Sequence, residues 1–138
     1  MPGEVVRSQS MKITTEDDVL VLRKRVRELA EQRKFDNFAI AAITTATSEL
    51  ARNVLVHGCG GEALLEEVTL GPRAGIRVTF SDRGPGIPDI DRVLAGGYST
   101  ANSMGLGLSG SKRLVDEFQL DSEVGHGTRV MVTKWKRF

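Results

Sequence analysis

A glycine-rich stretch over residues 82–110 constrains this chain more than any other feature. It follows an alternating apolar segment, Ile76, Val78 and Phe80, and it precedes a helical one. Period-two alternation reads as a strand, whereas the glycines and small polar residues after Asp82 read as irregular backbone. Connections longer than about 12–15 residues are uncommon in compact domains and usually serve as functional lids. Only a short helical piece at residues 89–94 is expected inside this one. The fold must therefore present a strand end and a helix start on either side of an opening that a long segment covers.

The flanking elements are readable from periodicity and caps. Residues 1–10 read as a flexible N-terminal tail and residues 11–138 as a single domain that begins with a short strand at 11–13. Thr14 and Thr15 can cap a helix whose first turn carries Glu16, Asp17 and Asp18, acids suited to the positive end of the helix dipole. Val19, Leu22, Val26, Leu29 and Ala30 then recur at helical spacing to about Arg33. A second helix follows an Asp36 or Asn37 cap and runs to about His57, with Gly58 as its stop. At about 100° per residue, Ile40, Ile43, Leu50, Ala51 and Val54 form one stripe, and Glu49 and Asn53 are neighbours at its margin. A helix packed on a sheet would border a cleft at that margin. Residues 64–70 and 76–80 read as a hairpin around a loose loop at 71–75. A helix is expected over 109–118 and a last strand over 128–135, ending in a basic tail at 134–138.

Charge and composition exclude several classes. The 138 residues carry 19 basic and 18 acidic side chains, a net charge of +1. No broad positive field for nucleic acid results, and the Arg-Lys-Arg run at 23–25 is balanced by Glu28 and Glu31 on its own helix. A hydrophobic share of 40% and a charged share of 27% match a globular chain. No apolar run approaches the roughly 20 residues that span a bilayer, and the N-terminus has no apolar signal core. With Cys59 as the lone cysteine, a reducing compartment, hence the cytoplasm, is expected, with neither nucleic acid nor membrane as a partner.

Three segments carry chemistry: Ser48-Glu49-Leu50-Ala51-Arg52-Asn53, Asp82-Arg83-Gly84-Pro85-Gly86 and Gly105-Leu106-Gly107-Leu108-Ser109-Gly110. The third matches G-x-G-x-x-G, but a dinucleotide site requires a strand directly before it, and Ser99-Thr100-Ala101-Asn102-Ser103 stands there instead. The H-R-D and D-F-G signatures of a eukaryotic-type kinase do not occur in the chain. Taken together, the segments suit a purine nucleotide. A carboxylate and a carboxamide one helical turn apart can accept a proton and offer a neutral oxygen to Mg²⁺. An Asp at a strand end can accept from a purine amino group, with Gly84 and Gly86 admitting close backbone approach. Glycines 105 and 107, ahead of a helix N-terminus, can wrap phosphates.

Glu49-x-x-x-Asn53, Asp82-x-Gly84-x-Gly86 and Gly105-x-Gly107, closed by Gly125-His126-Gly127-Thr128, resemble the boxes of the ATPase superfamily shared by gyrase, Hsp90, histidine kinases and MutL. The resemblance covers nearly the whole chain from about residue 10. Residues 45–53, 82–90 and 112–118 further resemble the switch serine/threonine kinases of bacterial stressosomes. The resemblance implies an α/β two-layer (α+β) Bergerat fold: a mixed, largely antiparallel sheet covered on one face by about three helices. It implies Glu49 as general base and Asn53 as Mg²⁺ ligand. Asp82 would bind the adenine amino group, Gly84 and Gly86 would line the adenine pocket, and Thr128 would support Asp82. Gly105 and Gly107, with Leu106 between them, would shape the lid over the triphosphate of ATP. The activity implied is phosphoryl transfer to a seryl or threonyl hydroxyl of STAS-domain scaffold and antagonist proteins, followed by release to activate a PP2C-type phosphatase. Outside such a complex the chain is expected to be monomeric. The alternative within the superfamily is an anti-sigma factor that sequesters a sigma factor and exchanges partners under ATP control. Residues 93–108 contain no Lys or Arg, so Mg²⁺ and residues outside that segment, such as Arg52, Lys112 or Arg113, must balance the phosphate charge, and Lys112 is expected to contribute. His57 reads as a helix-end residue, His126 as a turn residue, Trp135 as packing and Cys59 as inert, while Tyr98 is placed near the lid.

Overall fold

The computed structural model describes residues 3–95 and 104–137. Its strands are β1 (Glu4–Ile13), β2 (Gly61–Leu70), β3 (Arg73–Asp82), β4 (Glu117–Glu123) and β5 (Gly127–Trp135). Its helices are α1 (Glu16–Gln32), α2 (Asn37–Val56), α3 (Ile90–Ala95) and α4 (Met104–Leu114). The strands form one sheet in the order β1-β2-β3-β5-β4, and every neighbouring pair is antiparallel. The mixed sheet expected from the sequence is thus wholly antiparallel among the described residues, and the helices number four.

Caps and stripes set the helices as the sequence indicates. Thr15 accepts from the Asp18 N–H at 3.2 Å while the Asp18 carboxylate accepts from the Thr15 N–H at 3.1 Å, a reciprocal capping box. Asp36 caps α2 through the Ala39 N–H at 2.8 Å. Val19, Leu22 and Val26 of α1, with Ile43, Leu50 and Val54 of α2, are buried against Ile76, Val78 and Phe80 of β3. Each such apolar side chain contributes about 1.5–3 kcal/mol on leaving water. The intervening positions of β3 point to the other face, where Arg77 Nε donates to Glu66 at 3.0 Å.

The structure departs from the sequence reading at three places. The tail expected over residues 1–10 is strand from Glu4, paired with β2 from Glu4↔Thr69 to Ile13↔Gly61. Over Glu4–Ser10 its side chains are exposed, so no burial alternation marks that part and backbone pairing holds it, while Met11 and Ile13 anchor its end in the core. The helix expected over 109–118 begins earlier, at Met104, and ends at Leu114. Gly105, Gly107 and Gly110 each lower intrinsic helix propensity by about 1 kcal/mol, which hides this helix from a propensity reading, whereas packing on α2 forms it. The chain that follows is β4, in which Phe118 and Leu120 alternate toward the core. β2 and β3 also extend closer to one another than expected, leaving Gly71 and Pro72 as the turn.

Candidate functional site

Asp82 ends β3 on the face covered by helices, in register with Gly61 of β2 and Thr128 of β5. Its Oδ1 accepts from the Gly84 N–H at 2.9 Å and from the Thr128 N–H at 3.3 Å, a strand-end Asx turn tied to the neighbouring strand. Gly58, just beyond α2, lies against the same carboxylate: a Cβ there would stand 2.6 Å from Asp82 Oδ2. Gly84 is equally confined, since its Cβ would meet the Gly58 Cα at 2.7 Å. Gly86 needs its freedom, with φ at +80° and a would-be Cβ 2.5 Å from the Glu123 carbonyl oxygen. Ser122 joins this group. Its hydroxyl lies 2.9 Å from Thr128 Oγ1, accepts from the Ile87 N–H at 2.8 Å and donates to the Gly127 carbonyl at 3.2 Å.

The second group lies up α2 from Gly58. Glu49 and Asn53 both face Gly107 of α4: a Cβ on Gly107 would lie 3.2 Å from Asn53 Nδ2 and 3.5 Å from Glu49 Oε2. Gly107 is buried, Glu49 is exposed, and Asn53 is half-buried. Asn53 Nδ2 is fully buried and has no hydrogen-bond partner among the described residues, a polar group that a ligand would satisfy. Glu49 stands seven helical steps, a rise of about 10 Å, before the last residue of α2, and Gly58 follows two residues later. One edge of α2 therefore links a carboxylate and carboxamide at one end to the Asp82 group at the other.

The sequence-derived site residues divide accordingly. Glu49, Asn53 and Gly107 converge, as do Asp82, Gly84, Gly86 and Thr128. Gly105 and Leu106 sit in the first turn of α4 rather than in a loop ahead of it. Lys112 is displaced: because the helix starts at Met104, Lys112 and Arg113 occupy its last turn and are exposed. Lys112 lies about 140° round the helix from Gly107, away from Glu49 and Asn53. Arg52, on α2 between those two residues in sequence, is exposed. Residues 96–103, Tyr98 among them, lie outside the described residues. His57 is the C-cap of α2, its N–H donating to the Asn53 carbonyl at 2.9 Å. His126 is exposed 3.7 Å from Glu123, Cys59 is exposed, and Trp135 is buried. Sequence reasoning missed Ser122 and the contact of Gly58 with Asp82. The signal for Ser122 was available, a lone hydroxyl continuing the Phe118, Leu120 alternation opposite Thr128.

Residues 39–137 match the family described as Histidine kinase-, DNA gyrase B-, and HSP90-like ATPase. The chain is 42% identical over 127 residues to the serine/threonine-protein kinase RsbT of Bacillus subtilis (strain 168), covering 92% of this chain and 96% of that protein. It is 31% identical over 102 residues to an anti-sigma F factor of Thermoanaerobacter sp. (strain X514), covering 70% of each. Among solved structures, the RsbU and RsbW domains of Rv1364c from Mycobacterium tuberculosis share the fold, with a TM-score of 0.65 and 21% identity over 96% of this chain and 34% of that one. The RsbT likeness is both higher and longer than the anti-sigma likeness. The chain belongs to the histidine kinase-, DNA gyrase B- and HSP90-like ATPase family and, within it, to the protein serine/threonine kinases related to RsbT.

Proposed function

We propose that this kinase, its single domain including β1 from Glu4, transfers the γ-phosphoryl group of ATP to a seryl or threonyl hydroxyl of STAS-domain scaffold and antagonist proteins. On release it activates a PP2C-type phosphatase in a cytoplasmic stressosome cascade that governs a sigma factor. Support comes from the RsbT relative, from the anti-sigma factor relatives and from a structural neighbour that joins RsbU and RsbW domains. The observation that supports the catalytic assignment is the convergence of Glu49 and Asn53 on Gly107, with Asn53 Nδ2, a donor for a phosphate oxygen, buried and without a partner among the described residues.

The residues present fit a magnesium nucleotide. With Asp82 Oδ1 engaged by two backbone N–H groups, Oδ2 is left to accept from the adenine amino group. Ser122 and Thr128 hold this carboxylate's strand in place. Among the described residues no three His, Cys, Asp or Glu side chains form a metal cluster, which suits an ion carried mainly by phosphates, with Asn53 as its protein ligand. Bound there, Mg²⁺ would neutralise phosphate charge. Gly107, with Gly105 and Leu106, gives the phosphates access to α2. Glu49 accepts the hydroxyl proton as its oxygen bonds to phosphorus, and ADP leaves in line. Arg52 replaces Lys112 as the cation for the phosphates, because α4 turns Lys112 away from Glu49 and Asn53.

Incubation with Mg-ATP and purified STAS-domain partners tests the reading. Phosphoserine or phosphothreonine in the partner is expected. Capture of a sigma factor with no phosphorylation of any STAS partner would instead establish the anti-sigma alternative, which the 31% relative represents.

A further inference from the structure

At the end of the sheet remote from Asp82, the C-terminus of α1, the β2–β3 turn and the exit of β5 enclose a cleft of about 560 Å³. Asp82 and Arg73 close opposite ends of β3, nine strand steps or roughly 30 Å apart. Arg33, Lys34, Arg73 and Lys136 line the cleft, and no acidic residue does. Arg33 is paired with the buried Glu67. Among the described residues, no carboxylate lies within ion-pair distance of Lys34, Arg73 or Lys136. Three uncompensated cations thus gather at one place on a chain whose net charge is only +1.

Arg73 is held ready. Its guanidinium stands 5.7 Å from the centre of the buried Trp135 ring, and its Nε donates to the Lys136 carbonyl at 3.4 Å. A guanidinium so fixed loses less entropy on pairing with a carboxylate than a free one. Beneath the cations lie Leu70, Pro72 and Ala74, with Leu70 37% exposed.

We propose that this cleft docks an acidic segment of a partner protein, its carboxylates on Arg73, Lys34 and Lys136 and an apolar side chain on Leu70 and Pro72. A small anion would leave the apolar lining of Leu70 and Pro72 in water, whereas a peptide segment with both carboxylates and an apolar side chain would cover it. A protein kinase must hold a protein substrate or effector, and a site at the far end of β3 can do so without obstructing the nucleotide. The inference rests on the charge and shape of the cleft and not on the STAS-domain assignment.

Fluorescence anisotropy with a labelled peptide of alternating Asp and Leu tests it, beside the same peptide with Asn for Asp. The acidic peptide should bind saturably, weaken as salt is raised, and lose about tenfold or more in affinity in Arg73→Glu and Lys136→Glu. Nucleotide affinity and melting temperature in those variants should match the wild type, which separates loss of docking from damage to the ATP site. If Arg73→Glu melts early, the exposed Lys34→Glu decides together with Lys136→Glu. Unchanged affinity in the charge reversals, equal binding of the Asn peptide, or displacement of the acidic peptide by duplex DNA or anionic vesicles at lower concentration would overturn the proposal.

Discussion

Gly86 and Asp82 show how much depends on single residues at the β3 end of the proposed site. At φ +80°, with the Glu123 carbonyl 2.5 Å from any added Cβ, Gly86→Ala must shift the loop or strain it. A left-handed non-glycine residue costs about 1–2 kcal/mol before the clash is counted. That variant should melt earlier and bind ATP at least about tenfold more weakly, the second effect following from a displaced loop beside Asp82. Asp82→Ala leaves the Gly84 and Thr128 N–H groups without their acceptor, at about 1–3 kcal/mol if water does not replace it. Its ATP affinity, read by calorimetry, should fall further than its melting temperature suggests, and wild-type affinity would place the nucleotide elsewhere. That Asp82, Gly84 and Gly86 cluster was legible because an Asp-x-Gly-x-Gly after an alternating strand has few structural uses. Ser122 was passed over because the helix expected over 109–118 hides the Phe118, Leu120 alternation that it continues. Lys112 was misplaced because its direction depends on where α4 begins, and glycine-rich helix starts leave no propensity signal.

At the scale of elements, the first helix carries a pH response. The Thr14 backbone N–H chiefly, then the Thr14 hydroxyl and the Thr15 N–H, hold the exposed Asp18 carboxyl below its ordinary value of 3.8. A carboxylate depressed in the folded state stabilises above its unfolded value, and that stabilisation is lost as pH falls through the folded value. The α1 cap should therefore loosen below about pH 4 and not on the alkaline side. Asp18→Asn should remove that acid-side dependence, and a circular-dichroism titration that is superimposable for the two proteins would contradict it. For α2, Leu50 is 1% exposed in the core, and Leu50→Ala should cost about 2–5 kcal/mol by denaturant unfolding. Both long helices were readable because caps and stripes agreed with their burial. Of β1 only residues 11–13 were readable, because residues 4–10 have exposed side chains and no alternation, and their pairing with β2 defines them.

Across the whole molecule, the antiparallel sheet and the helices on one face bring two distant sequence segments, residues 49–53 and 82–86, along one edge of α2. Gly107 of α4 packs against the first of these segments, and Gly58 just beyond α2 against the second. The basic cleft sits at the other end of β3, so the two ends of one strand would serve nucleotide and partner separately. The central claim is that Glu49 takes the acceptor proton while the rest of the edge binds nucleotide. Single-turnover transfer from Mg-ATP to a STAS-domain partner, measured for wild type and Glu49→Ala alongside ATP affinity, tests it most directly. The account predicts a rate lower by about 10² to 10⁴ with ATP affinity nearly unchanged. A wild-type transfer rate in Glu49→Ala would contradict it.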